Sequence, residues 1–342
     1  MAVGSASKVA RWRRCKHACW YSDVMSLAPI TKSIAPIRGN IIHACLENFY
    51  AGKDWTIPIQ ELKVDLDNVF DEEREEWGNL PQELYRILRA YIIHYRPIDA
   101  KWKVLATEYN FAYTLNSAHT YTGYIDMVVM DENKDVWIVD HKTVKSIPDE
   151  RDLYMDLQLM MYYEAVKNDK ALMAKIDAEG GRVAGFIFNH IKTKAPREPQ
   201  VLKNGGLSKA AIDTDVRTYF ETVKKHGLNP ADYEDMIPKL EKNVYFKRTR
   251  LPVNQRTLGI IKAEIIATLD EYDDYVNEFV KETDKPKFTR NMLKQRCNWD
   301  CSYQRLCYGE LAGMNINDII ASDYETKTGR DAVEEGDETD GQ

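Results

Sequence analysis

The sequence predicts an α/β fold in which a strand-rich centre lies between helical flanks. Two observations carry this expectation. From Trp102 the hydrophobic period drops from helical spacing to the alternation of strands, and helical spacing returns near residue 150. Within the centre, "GYIDMVVMDENKDVWIVDHKT" (123–143) is two short apolar runs joined by a polar turn, the pattern of a hairpin.

The elements follow in order. "RGNIIHACLENFYAG" (38–52) has apolar residues at 41, 42, 45, 46 and 49, one face of a helix that carries His43 and stops at Gly52. Residues 59–76 and 81–96 also read as helices, the first ending in the acidic run "DEEREEW". "KWKVLATEYNFAYTL" (101–115) supplies a strand and the hairpin two more, so three strands are expected in antiparallel order. Residues 150–168 return to a helix, 181–193 form a buried strand, and 192–214, rich in Pro, Gly and Lys, is a surface loop and a candidate for substrate contact. Helices at 214–226, 231–242 and 254–281 follow, with a short strand "NVYFKRTRL" before the last. The expected organisation is one domain over 1–322, with a helical part at about 1–98, a core at about 99–195 and a helical, cysteine-bearing part at about 210–322. Residues 323–342 read as a disordered acidic tail.

Composition narrows the class. A chain of 342 residues, 44% hydrophobic and 11% aromatic, supports a substantial core. A formal net charge of -7 argues against a surface that is basic throughout, yet leaves room for a local basic groove. No apolar run is long enough to span a membrane, and the N-terminal "MAVGSASKVARWRRCKHACW" lacks the order of a secretory signal, so a cytoplasmic location is expected, or the host cytoplasm for a viral protein. In that reducing compartment the six cysteines do not read as a disulfide framework. Cys15, Cys19 and Cys45 lie early, while Cys297, Cys301 and Cys307 form a late C-x3-C-x5-C cluster that suggests metal or cluster ligation.

The hairpin carries charges that a purely structural strand pair does not need. Asp140 and Lys142 share a face, and His141 points the opposite way and reads as core. If "DENKD" is the turn, Asp126 stands across from Asp140 with facing Cβ atoms about 5 Å apart. Two carboxylates so close need a cation between them, and Lys142 or a divalent metal meets that need. Spacing alone favours an exposed face balanced by Lys142 at least as well as a Mg²⁺ or Mn²⁺ site, to which Glu108 on the preceding strand offers another oxygen.

The order of motifs goes further. "GNIIH" (39–43), "TEYNF" with Glu108, "GYIDMVV" with Asp126, "VDHKT" with Asp140 and Lys142, and "QLMMYY" with Gln158 and Tyr162 resemble the PD-(D/E)XK nuclease superfamily. Within it they resemble the RecB-like branch that includes Cas4 and AddB nuclease domains, marked by a G-x-x-x-H helix, an Asp strand, an Asp/Glu-x-Lys strand and a Q-x-x-x-Y helix. The resemblance spans about residues 10–310, its specific part confined to these motifs. It implies a restriction-endonuclease-like core with a mixed central sheet. His43, Asp126 and Asp140 would hold Mg²⁺ or Mn²⁺, Lys142 would orient or activate the attacking water, and Gln158 and Tyr162 would close the site. Glu108 would serve catalysis directly or orient a ligand or water. The resemblance also implies a [4Fe-4S] cluster on Cys297, Cys301, Cys307 and one early cysteine, Cys15 being favoured over Cys19, that clips the N-terminal segment to the C-terminal helices, with structural Zn²⁺ as the alternative. Cys19 and Cys45 are then buried thiols.

The implied substrate is DNA, single-stranded or with free ends, and the implied partner a recombination or single-strand-binding protein. Candidate phosphate contacts are Lys203 and Lys209 in the 192–214 loop, with Lys247, Arg248 and Arg250 on the late strand, where Arg248 and Arg250 alternate and could face one phosphate backbone. Two rivals are a catalytically silent nucleic-acid-binding protein with structural zinc and a hydrolase of the same fold acting on RNA or capped ends. The intact Asp126, Asp140 and Lys142 set argues against the first.

Overall fold

The computed structural model describes residues 2–30, 34–68, 74, 77–210, 213–279, 287–293, 297–298 and 301–327. Its strands are β1 (Ala2–Gly4), β2 (Leu27–Pro29), β3 (Lys103–Thr114), β4 (His119–Met130), β5 (Asp135–Val144), β6 (Arg182–Lys192), β7 (Phe246–Pro252) and β8 (Tyr324–Thr326). The principal helices are α1 (Ala6–Arg14), α2 (Ile34–Tyr50), α3 (Leu80–Asp99), α4 (Leu157–Asn168), α5 (Val216–Lys225), α6 (Gln255–Phe279) and α7 (Gln304–Leu311). The expected α/β architecture is present, a mixed sheet flanked by helices on both faces.

The sheet runs β1-β4-β5-β6-β7, with β3 also paired to β4. The three strands β3, β4 and β5 are antiparallel in succession, β5 and β6 are parallel, and β7 returns antiparallel. A parallel step needs a crossover, which the segment containing α4 supplies. Alternation then assigns each face. Val128, Met130, Ile138, Phe186 and Phe188 pack with Leu159, Met160, Leu258 and Ile265 of α4 and α6. Met127, Val129, Trp137, Val139 and Ile187 form the other face. Beside it, α2 and α3 contribute Ile42, Leu46, Leu84, Ile87 and Tyr91 to a second cluster with Ile191 and Phe246. β5 is buried on both sides, which is why "VWIV" reads as an unbroken apolar run. Each such large side chain taken from water contributes about 1.5–3 kcal/mol.

β6 and β7 meet at a position where only glycine fits. A Cβ on Gly185 would lie 2.2 Å from the carbonyl oxygen of Leu251, which is backbone and cannot swing aside. Between β6 and β7 the chain builds a smaller unit with its own core of Leu207, Tyr219, Val223, Tyr233, Met236 and Leu240.

Several boundaries differ from expectation. α2 begins at Ile34 rather than residue 38, with Ile34 and Ile37 packed on the second cluster. The expected 150–168 helix is two helices, because the Asp156 carboxylate accepts from Gln158 N and Leu159 N and starts α4 afresh. A helix over Lys170–Ala178, capped by Asp169, was not expected. The 231–242 helix is a 3-10 stretch (Pro230–Met236) followed by a single turn. Of the 59–76 helix, Ile57–Asp67 is helical, and 69–73 and 75–76 lie outside the described residues, as do 280–281 of the last long helix. Order continues past residue 323, since β8 pairs with β2 in the register Leu27↔Thr326 and Pro29↔Tyr324. The rest of the proposed tail, 328–342, lies outside the described residues. No helix among the described residues is long and apolar enough to cross a membrane.

Candidate active site

The site forms where the central sheet splits. The β4–β5 ladder ends at Met127↔Val139, while β1 meets β4 only at His119–Tyr121, so the edge of β4 is open between them. Asp126 lies at this fork. Its Oδ2 accepts the main-chain N–H of His141 at 2.5 Å, so a side chain replaces the missing ladder bond and fixes the carboxylate.

Two further groups converge on Asp126. His43 on α2 brings Nδ1 to 3.5 Å from Asp126 Oδ1. Glu108 on β3 stands directly across from Asp126, between the pairs Thr107↔Met127 and Tyr109↔Ile125. Its φ of 41° is in the left-handed region, a conformation that costs a non-glycine residue about 1–3 kcal/mol and is retained where the surroundings enforce it. One ligand atom from each of His43, Glu108 and Asp126 lies within 4.8 Å of the others.

Asp140 lies outside that grouping. The triad that closes most tightly contains Glu108 in its place, while the buried Asp140 carboxylate lies 3.5 Å from Lys142 Nζ on the shared face of β5. Lys142 Nζ donates to Gln158 Oε1 at 2.9 Å, and Gln158 Nε2 donates to Tyr162 OH. Gln158 therefore couples the lysine to the tyrosine from the first turn of α4, and the Asp156 cap fixes where that turn begins.

Electrostatics separates the groups. Burial opposes ionisation of Asp126, but His43 beside it and His141 hold its carboxyl below the usual range. Burial draws the His141 imidazole down to about 3, against the pull of Asp126. The expectation that His141 faces away from Asp140 agrees with its contacts: its ring stacks on Tyr50 at 6.0 Å and meets His43 edge-on at 5.9 Å.

Behind His141 lies a buried polar chain that sequence reasoning missed. Asn189 Nδ2 faces His141 Nδ1 at 2.6 Å and Tyr91 OH at 2.7 Å, and Arg248 Nε donates to Asn189 Oδ1 at 3.3 Å. Arginine only donates, so the amide orientation is set, and His141 Nδ1 is the acceptor. Its ring proton is therefore on Nε2. The available signal was "FIFNHI", where Asn189 and His190 interrupt an apolar strand and are both buried.

The sequence profile of the PD-(D/E)XK nuclease superfamily matches residues 4–308. The chain belongs to the PD-(D/E)XK nuclease superfamily. A search of curated proteins found no match. Among solved structures, a candidate exonuclease from Eubacterium rectale is similar at 14% identity over 64% of this chain and 71% of that one; at a TM-score of 0.28 the likeness carries no argument.

This nuclease opens its site into a cleft of about 1400 Å³ lined by both His43 and Lys142. Its walls carry Arg38 from α2, Arg86 and Arg89 from α3, Lys145 beyond β5, Lys192, Lys194 and Arg197 at and after the end of β6, and Arg217 and Lys225 from α5; Arg38, Arg217 and Lys225 pair with the wall acids Glu83, Glu221 and Glu198, and Asp213 and Asp215 also line it. These cations are scattered over the sequence and meet only in the fold. The basic residues singled out from sequence lie elsewhere. Lys203 is exposed on its loop, Lys209 Nζ is 2.7 Å from Asp235, and Lys247 Nζ is 3.3 Å from Glu150 beside a second, smaller hollow. Arg248 does not face solvent: it is buried against Asp99, Tyr50 and Tyr91, with its guanidinium 3.6 Å from the Tyr95 ring centroid. Two-residue alternation put it on the same face as Arg250, but that face is covered by α3 at Arg248 and open at Arg250, which lies 4.8 Å from the Trp137 ring centroid.

The cysteines divide as their burial suggests. Cys19 and Cys45 are fully buried, and burial pushes the Cys45 thiol up to about 12. Cys15, Cys301 and Cys307 are half-buried against one cluster built from both ends of the chain, including Trp12, Tyr21, Phe288 and Tyr303. Burial raises the Cys301 thiol, and the nearby Cys15 and Cys297 raise it further. Arg290 Nε lies 3.1 Å from Cys307 Sγ.

Proposed function

We propose that this nuclease cleaves DNA by metal-assisted hydrolysis, acting as an exonuclease on single-stranded or end-bearing DNA in recombination, repair or the processing of phage or mobile-element DNA. One observation carries the reading: His43 and Lys142, which belong to the two halves of the charged site, both line a cleft whose walls present cations from several elements. Such a cleft suits a polyanionic backbone.

The donor set fits a divalent ion. Two carboxylates and an imidazole suit Mg²⁺ or Mn²⁺, with Asp140 near enough in the sheet to act as a further oxygen donor or to hold Lys142. That ion, when bound, supplies Lewis acidity toward the phosphate and a lowered pKa for water. The chain's residues do the rest. The His141 N–H holds Asp126 in one orientation, and Glu108 closes the opposite side of the triad. Lys142, steadied by Gln158, offers its ammonium to the water and to charge developing on the phosphate, and Tyr162 holds Gln158 in place. The phosphodiester P–O bond breaks as the bond from water to phosphorus forms, and the departing oxygen leaves with a proton.

The test compares linear and covalently closed circular single strands, and linear duplex, with Mg²⁺ or Mn²⁺. Release of nucleotides from linear DNA with circles left intact is the expected result. Nicking of circles at the same rate would overturn the exonuclease reading, and RNA cleaved in preference to DNA would overturn the substrate.

The same enzyme would carry a [4Fe-4S] cluster. Support comes from Cys15, Cys301 and Cys307 packing on one aromatic cluster drawn from both ends of the chain, although among the described residues the thiols are not gathered into a ligating group. Cys15, Cys297, Cys301 and Cys307 would hold the cluster, and its role would be to join the chain's two ends. Anaerobically purified protein should be brown and contain iron and sulfide; a colourless protein with stoichiometric zinc would replace this assignment with structural zinc.

A further inference from the structure

An exposed tyrosine on the cleft wall, Tyr85, takes no part in the chemistry above. The buried face of α3 is Leu84, Ile87, Leu88 and Tyr91. Tyr85 lies outside that stripe and remains 44% exposed, more than packing of the helix requires. It is nevertheless held firmly. Its ring stacks on Trp55 at 5.4 Å with an interplanar angle of 24°, and Trp55 is anchored against the hydrophobic cluster of α2 and α3. A tyrosine backed in this way is a rigid flat surface with low entropy cost for a ligand.

Its neighbours indicate the ligand. Tyr85 lines the same cleft as His43 and Lys142, together with Arg86 and Arg89 of its own helix. Arg89 is one turn further along, about 6 Å by helical rise. Neither arginine has an ion-pair partner among the described residues. An aromatic plane flanked by unpaired cations is the chemistry that binds single-stranded nucleic acid, the plane stacking on a base and the cations meeting its phosphates. Inside a duplex each base face is already covered by its neighbours, so away from the ends the plane has nothing to stack on.

We propose that Tyr85, backed by Trp55, is a stacking platform for an unpaired base of the DNA strand, and that it gives the cleft its preference for single strands. The inference rests on the DNA-cleaving reading above and deepens it.

The test is a binding cycle in EDTA, so that no cleavage occurs, using labelled oligothymidylate, an abasic strand of the same length, and a covalently closed circular duplex. Tyr85→Ala should weaken oligothymidylate binding about tenfold or more, while abasic-strand and duplex binding stay within about twofold of wild type. Tyr85→Trp should restore binding and lose indole fluorescence when oligothymidylate is added. Equal binding of oligothymidylate by wild type and Tyr85→Ala, or equal losses for oligothymidylate and abasic strand, would overturn the platform. If Tyr85→Ala fails to fold, Tyr85→Trp decides, and unchanged fluorescence at saturation overturns it. A wild type that cleaves DNA while Tyr85→Ala binds normally sinks the platform alone; a wild type that neither binds nor cleaves DNA sinks both readings.

Discussion

The main-chain N–H of His141 donates to Asp126 Oδ2 at 2.5 Å, so the strand fork is closed by a carboxylate rather than by backbone. Structure and site chemistry are joined in this bond, and substitution can separate them. Asp126→Asn keeps an oxygen for the N–H, whereas Asp126→Leu leaves a buried donor unmet at a cost of about 1–3 kcal/mol. Denaturant unfolding should show the Leu variant destabilised by that amount and the Asn variant much less, with both inactive. Equal stabilities would mean that the bond does not hold the fork.

Glu108 keeps a left-handed φ of 41° within a strand. Glu108→Gly removes the side-chain strain, about 1–2 kcal/mol, and gives back about 0.5–1 kcal/mol in chain entropy. The expected protein is as stable as wild type or slightly more so, yet binds Mn²⁺ more weakly. Glu108→Ala should share the weaker binding without the gain. Isothermal titration with Mn²⁺ beside unfolding curves checks both, and a Gly variant less stable than Ala would refute the strain.

Gly185 has no room for a methyl group, since its Cβ would stand 2.2 Å from Leu251 O. Gly185→Ala should cost about 1–3 kcal/mol or more, as overpacking does. Thermal unfolding would show a lowered midpoint, and an unchanged midpoint would mean that β6 and β7 can part without penalty.

His190 is buried beside Lys142, and burial, with Lys142 and Lys247, lowers its imidazole from 6.5 to about 4. Between those values the unfolded chain binds the proton that the folded chain refuses. Stability is thus complete above about pH 6.5 and falls as pH drops toward 4, by about 2–3 kcal/mol from this residue. His190→Leu should lose less stability than wild type between pH 7 and pH 4.5, in denaturant curves run at each pH. Identical losses would remove His190 from the acid response.

Much of this was legible in sequence because it is local. The turn "DENKD" sets the hairpin register, and Met127↔Val139 does bring Asp126 beside Asp140 as a five-residue turn requires. The one-turn spacing of Gln158 and Tyr162 likewise shows in their hydrogen bond. What escaped is non-local or conformational. No pattern announces that Glu108 adopts a positive φ and joins His43 and Asp126. Arg248 finds Asp99 across a long loop of chain, so alternation on β7 assigned its face but not what covers that face. The cleft cations come from separate elements, and single arginines on α3 form no basic run in the sequence.

The most direct measurement of the central claim is the rate of cleavage of an end-labelled single strand at saturating Mn²⁺ by wild type, Asp126→Asn and Lys142→Met. Both variants should cleave about 100-fold or more slowly, each retaining a cooperative unfolding transition. Cleavage within twofold of wild type by either folded variant would contradict it.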